Sequence, residues 1–371
     1  MRRYEIFPSC VIFAVMKHAI ELFSELGRRL ERLGEDAASR KVIARACEAN
    51  GWFTPLEVCR AARALATEML TEERLREWLA AYPLPVARER NVLVIMAGNI
   101  PLVGFFDLLC VVAAGHRCLV KPSAKDRVLM EYVVAQLRDI DPEVQVVLYD
   151  GTQPVDAVIA TGSDNANRYF RAQYAGIPAL LRGSRQSVAV LSGRETPEQL
   201  RGLADDIWAY SGLGCRSVSL LFLPEGYEPK LEMPDVNPKY INNYRQEKAL
   251  CEMSGTPYVD FGRAVAVEQR EFPAALSRIA FTRYKTTEEV TAWLTQHDNE
   301  LQCVVTTLLP HSRRVDFGRA QSPSLTDWPD DRDVLEFLCG LCARAAFFTT
   351  FVRKQPQKTI RICRWFSDSG C

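Results

Sequence analysis

The sequence predicts an α/β protein of two lobes behind a helical segment. Three observations carry that expectation. Continuous apolar runs such as Val92-Leu93-Val94-Ile95-Met96 and Val188-Ala189-Val190-Leu191 mark strands covered on both faces, as in a parallel sheet. These runs alternate with stretches of helical periodicity, the pattern of βαβ units. The chain has 371 residues, enough to fill two sizeable cores.

The elements follow in order. Two arginines and a short apolar run open the chain and superficially resemble a secretion signal, but Pro8 interrupts the run and no small-residue cleavage site follows. Residues 1–15 are therefore expected to form an unpacked extension, with the folded chain beginning at Met16. Residues 16–84 read as a helical segment: Leu22, Leu26 and Leu30 recur at helical spacing, and Thr54-Pro55 after the break at Asn50-Gly51 pairs an N-cap with proline at the first helical position.

The first lobe is expected over residues 85–200. The strand at Val92–Met96 ends in Ala97-Gly98-Asn99-Ile100-Pro101, a buried helix follows to Ala114, and the strand Arg117–Val120 ends at Lys121-Pro122-Ser123. A right-handed crossover places both turns along one carboxyl edge, where open α/β sheets bind ligands. A helix at 128–137 and strands at 144–149 and 157–160 continue the pattern. The last strand runs into Thr161-Gly162-Ser163-Asp164-Asn165 before a helix at 166–175. A glycine- and hydroxyl-rich turn at a helix N-terminus suits an anion, and plain N-capping by Ser163 or Asp164 is the alternative.

The second lobe, residues 201–338, turns on Ser211-Gly-Leu-Gly-Cys215, set between a helix at 197–210 and a strand at 218–223 that stops at Pro224. Gly212 and Gly214 let the backbone bend sharply, so the Cys215 thiol can stand among peptide N–H groups that lower its pKa and stabilise an oxyanion. The bland alternative is a buried cysteine in a glycine-containing turn. Further on, the sequence reads as a polar, proline-rich stretch to Tyr244, a helix at 245–253, strands at 264–267 and 279–284, a helix at 286–297 and a strand at 301–307. His116 and His311 read as structural histidines. Residues 339–371 mix cysteines, aromatics and basic residues without sustained periodicity and receive no assigned role.

Charge and cysteine usage narrow the partners. Forty-six basic against 46 acidic residues argue against nucleic acid as the main partner. Twelve scattered cysteines without paired spacing fit a reducing cytoplasm. Cys339-Gly-Leu-Cys342 alone has metal-ligand spacing and lacks a second pair, so no metal is expected. No run approaches the roughly 20 apolar residues of a membrane span.

Met96-Ala-Gly-Asn-Ile-Pro101, Gly115-His-Arg-Cys-Leu-Val-Lys-Pro-Ser123, Ala160-Thr-Gly-Ser163 and Ser211-Gly-Leu-Gly-Cys215 occur in the order and rough spacing of the aldehyde dehydrogenase superfamily. With Arg182-Gly183-Ser184-Arg185, Phe317-Gly318-Arg319-Ala320-Gln321 and Asp333–Leu338, the chain more closely resembles the long-chain acyl-CoA and acyl-protein thioester reductases of the bacterial luminescence (LuxC) family, from about Trp52 to Leu338. The resemblance implies an aldehyde dehydrogenase-like fold, with the first lobe holding a nicotinamide cofactor and the second carrying catalysis. It places the nucleophile at Cys215 and cofactor contacts at Gly98, Asn99, Lys121, Ser123, Gly162 and Ser163, with Asn99 or a neighbour also holding the thiohemiacetal oxyanion; Glu271 lies near where the superfamily has a ribose-binding glutamate, in a poor local match.

Two departures are informative. Hydrolytic members of the superfamily carry a glutamate general base where this chain has Leu181-Arg182-Gly183-Ser184, a stretch without a carboxylate; a thioester reductase needs no activated water. NAD-preferring relatives often carry a glutamate after the Lys121-Pro122-Ser123 position, where Ala124-Lys125 stands here. Replacing an anion by the cation of Lys125 should favour a 2′-phosphate, hence NADPH. The resemblance thus implies reduction of a fatty acyl thioester to the aldehyde in a homo-oligomer, and leaves room for an acyl-activating protein partner. Reduction of an acyl phosphate or short aldehyde on the same fold, a cofactor-independent cysteine acyltransferase or thioesterase, and a non-catalytic assembly partner are the alternatives.

Overall fold

A computed structural model describes residues 9–86 and 88–341, with only the backbone of 9–15. Helix α1 (Ser9–Glu31) is followed by α2 (Ala37–Ala49), α3 (Pro55–Glu68) and α4 (Glu72–Ala80). The expected caps form: Thr54 Oγ1 accepts from the Glu57 N–H, and Pro55 opens α3. The expectation that the fold begins at Met16 is corrected, because α1 already includes Ser9 to Val15. Val11 and Val15 share the helical phase of Leu22 and Leu26, so the apolar run continues the helix instead of preceding it.

The first sheet contains β1 (Asn91–Ile95), β2 (Arg117–Lys121), β3 (Val146–Leu148), β4 (Ala157–Thr161) and β5 (Ala179–Arg182), all parallel, in the order β3-β2-β1-β4-β5. Helices α5 (Phe105–Ala113), α6 (Arg127–Ile140) and α7 (Asp164–Gln173) connect these strands. Successive β1 residues face opposite sides: Val92 and Val94 join a core with α1–α6, while Leu93 and Ile95 pack toward Phe170 of α7. Burial on both faces explains the unbroken apolar runs. The sequence reading missed β5, which contains Arg182. Pairing with Asp107 of α5 accommodates that charge inside the fold.

The second sheet contains β6 (Gln186–Val190), β7 (Val218–Pro224), β8 (Val259–Asp260), β9 (Val265–Glu268), β10 (Arg278–Tyr284), β11 (Leu301–Val305) and β12 (Arg314–Val315). Their order is β12-β11-β6-β7-β10-β9-β8, antiparallel only at β8–β9. Helices α8 (Pro197–Trp208) and α9 (Pro238–Ser254) cover one face, and α10 (Thr287–Gln296) covers the other. α9 starts seven residues before the expected 245, because Asn237 caps it and Pro238 takes the first helical position.

The expected division at residue 200 is displaced. β6 pairs with both β7 and β11, so the crossing between sheets falls at Gly183–Arg185. The chain then returns: Leu325, Val334, Leu335 and Leu338 pack into the first core, the last three on a final helix, α11 (334–341). The tail from 342 on, including Cys342 of the Cys-x-x-Cys pair, lies outside the described residues, as do residues 1–8. Among the described residues no helix is long and apolar enough to cross a membrane, and no cluster of metal-ligand side chains occurs.

Candidate active site

The chain runs from β1 to β2 and β3 on one side, then crosses back to place β4 on the other. The switch point therefore lies between β1 and β4, and the turns at 97–101 and 161–163 flank it at the carboxyl ends of the strands. The amino ends of β6, β7, β10 and β11 face this edge across a cleft of about 830 Å³. Its lining brings together Gly98, Asn99, Ser123, Lys125, Gly162, Ser163 and Cys215. Lys121 ends β2 on the same edge, exposed, but does not line the cleft.

Local chemistry fixes each part of the first-lobe wall. Gly98 is required by close approach, since a Cβ there would stand 2.6 Å from both Cβ and Oγ of Ser123. Ser123 Oγ accepts from the Lys125 N–H at 3.3 Å, which presents the exposed Lys125 side chain at the rim. Ser163 caps α7 by accepting from the Ala166 N–H at 3.3 Å, with Gly162 against Ala166 and Phe170. Capping by Ser163 therefore forms, and the turn faces the cleft.

Opposite stands Cys215. Tyr210, Ser211 and Gly212 take positive φ in succession (53°, 54° and 67°), reversing the chain sharply after α8. Glu57 of α3 accepts the Tyr210 N–H, and burial pushes its carboxyl upward. Asn99 donates its amide to the Leu213 carbonyl at 2.5 Å, binding the cysteine turn to the first lobe. Ser187 Oγ donates to the Cys215 carbonyl at 2.9 Å and contacts Cys303 Sγ at 3.1 Å.

Cys215 is exposed to the cleft. The expectation of a lowered thiol pKa is corrected: poor solvation of the thiolate between the protein walls pushes it up to about 11, Asp330 and Cys303 adding to the rise and Arg216 and Arg182 opposing it. The residue is open to the cleft, yet the protein around the thiol withholds the hydration shell an anion needs.

Two residues given no site role from the sequence, Arg182 and Asp330, line the same cleft. Arg182 donates to Thr161 Oγ1 and forms a buried ion pair with Asp107. A lone acid inside the apolar run of α5 was the available signal that such a partner exists. Asp330 comes from the return segment, far along the chain from Arg185, with which it pairs at 3.6 Å. His116 is a satisfied core residue: its Nδ1 accepts from the Arg90 N–H at 3.2 Å and its Nε2 meets the Leu338 carbonyl at 3.3 Å. His311 Nδ1 accepts the Arg313 N–H, and neither histidine lines the cleft; nor does the exposed Glu271. Trp208 is core, whereas Tyr210 contributes to the cleft wall.

A family model described as acyl-CoA reductase (LuxC) matches residues 62–302. No match is found among curated proteins. Among solved structures, an acetylating aldehyde dehydrogenase from Geobacillus thermoglucosidasius is similar at 13% identity and TM-score 0.59, over 87% of this chain and 90% of that one. Aldehyde dehydrogenase 21 from Physcomitrella patens, in complex with its reaction product succinate, gives 11% identity and TM-score 0.61 over 88% and 84%. An aldehyde dehydrogenase from Bacillus cereus in complex with NAD+ gives 16% and 0.53 over 79% and 72%. These likenesses establish the aldehyde dehydrogenase fold.

Proposed function

The chain belongs to the acyl-CoA reductase (LuxC) family, and from that premise we propose that it reduces a fatty acyl thioester to the fatty aldehyde with NADPH, through an acyl-enzyme on Cys215. The observation that carries this reading is the single cleft that holds Cys215 against the carboxyl-edge turns of the first sheet.

The residues present fit a dinucleotide. Gly98 lets the β1 turn lie against Ser123, the Gly162-Ser163 turn opens α7 with its N–H groups, and Lys125 adds a cation at the rim suited to a 2′-phosphate. Bound there, the nicotinamide would supply the hydride that converts the acyl group to an aldehyde. Lys121, outside the cleft lining, is assigned no contact in this reading.

The chain's own groups do the rest. Cys215 Sγ attacks the thioester carbonyl and displaces the carrier thiol. Asn99, already anchored to Leu213, has a second amide N–H to offer an oxyanion on the acyl carbon. Apolar side chains from α3 and its C-cap, the β1 turn and α5, among them Leu65, Met69, Ile100 and Phe106, form a wall suited to an acyl chain. The raised thiol pKa leaves the resting nucleophile protonated, which protects it from adventitious alkylation and oxidation.

The test is NADPH oxidation against acyl-CoAs of graded chain length, with NADH in parallel and Cys215→Ala as control. Turnover should favour long acyl chains and NADPH and fall at least ~10³-fold in the variant. Equal turnover in Cys215→Ala would exclude the acyl-enzyme. Turnover of acyl phosphates or short aldehydes alone would place the chain on the neighbouring reaction.

A further inference from the structure

We propose that Asp330 is the proton acceptor for Cys215 and the proton donor to the departing thiol. The inference deepens the acyl-thioester reading and rests on it. A thiol held near pH 11 is a poor nucleophile at neutral pH, so acylation needs a base within the cleft. Asp330 is a carboxylate lining that cleft together with Cys215, delivered by a segment fastened to the nucleophile's neighbour. Arg216, adjacent to Cys215, donates to the Ala320 carbonyl at 3.4 Å and the Asp327 carbonyl at 3.1 Å. Asp330 is then fixed through its own N–H, which donates to Gln302 Oε1 at 3.0 Å, while Gln302 Nε2 donates to the Trp328 carbonyl at 3.3 Å.

The backbone at this point is held in an uncommon conformation. Asp330 and Asp331 have φ of 56° and 54°, two successive non-glycine residues in the left-handed region. Such residues persist where surrounding contacts over-determine them, and they concentrate at functional sites. The Asp330 carboxylate stands 3.6 Å from Arg185.

The groups facing Asp330 set its proton affinity. Burial pushes its carboxyl upward, and Arg185, Arg182 and the Gly183 N–H oppose the rise. For Cys215 the facing groups are Arg216, Asp330, Cys303 and Arg182. A carboxyl raised by burial is a better base toward a thiol than a solvated one and remains an acid strong enough to protonate a leaving thiolate.

The proton inventory closes without a co-reactant. As the Cys215 Sγ–acyl bond forms, the thiol proton moves to the Asp330 carboxylate. The bond between the acyl carbon and the carrier sulfur breaks with its electron pair on that sulfur, which takes the proton back from Asp330. Nothing is oxidised or reduced in this step.

Acylation of the full chain by a long-chain acyl-CoA without nicotinamide, read as free CoA release and adduct mass, is measured beside iodoacetamide alkylation for wild type and Asp330→Asn. The variant should acylate about 10²-fold more slowly. It should alkylate faster at pH 8, because losing the neighbouring anion lowers the thiol pKa. Opposite signs identify a proton-transfer role; a parallel loss, or no change in acylation, overturns it. Wild-type acylation followed from pH 4 to 9 gives a second reading that needs no variant: a limb with the slope of one carboxyl supports the proposal, and a profile following thiolate formation alone overturns it. No adduct on wild-type Cys215 would instead overturn the acyl-enzyme reading itself.

Discussion

At Gly98 a single methyl group decides whether the two first-lobe turns can meet. A Cβ would lie 2.6 Å from Ser123 and 3.2 Å from the Asp126 nitrogen, and neither partner is the free end of a long side chain. Gly98→Ala is therefore expected to push the β1 turn away from Ser123 and weaken NADPH binding by at least ~10-fold, with a smaller effect on acylation of Cys215. Fluorescence titration with NADPH and the nicotinamide-free acylation assay measure the two separately; equal NADPH affinity in the variant would remove this turn from the cofactor site. The glycine was legible in the sequence because Ala97–Pro101 ends an unbroken strand. The chemical state of Cys215 was not: the glycines around it suggested a lowered thiol, but the walls that raise it come from segments distant in the chain. Asp330 was illegible for the same reason.

Among the elements, α8 ties the return segment to the nucleophile turn through one carboxylate. Asp206, fully buried, accepts the Gly318 N–H at 2.7 Å and the Ala320 N–H at 2.9 Å. Gly202 on the same helix lies against Gly318 so closely that a Cβ would stand 2.8 Å from its nitrogen. Desolvation outweighs the two hydrogen bonds and pushes Asp206 up to about 7. A folded-state pKa above the unfolded value means that this group's contribution is fully present below about pH 4 and is lost as pH rises through about 7, a change of up to roughly 4 kcal/mol. Urea unfolding between pH 4 and 8 should show that fall, and Asp206→Asn should flatten it; an unchanged slope would assign the pH dependence to other groups. The elements themselves were mostly readable. Apolar runs located β1, β2, β4, β6 and β7, and Thr54-Pro55 located α3. The strand β5 was hidden by Arg182, whose burial depends on Asp107 in another element, and the start of α9 was hidden by the prolines around Asn237-Pro238.

On the scale of the whole molecule, the cleft exists because the carboxyl edge of one parallel sheet faces the amino edge of the other. The crossing at Gly183–Arg185 and the return of residues 325–341 to the first core hold that arrangement. Sequence periodicity predicted two lobes but not their border, since β6 resembles the first-lobe strands and only its pairing with β7 and β11 assigns it to the second. In the proposed reading Cys215 carries the acyl group and the hydride reaches it there, within this one cleft. Its most direct test is a single-turnover experiment in which the full chain is mixed with a long-chain acyl-CoA, its mass and that of the Cys215 peptide are recorded, and NADPH is then added. An acyl adduct on Cys215 should form without NADPH and discharge as fatty aldehyde when NADPH arrives. An adduct on another residue, or aldehyde formed with no adduct at Cys215, would contradict that reading.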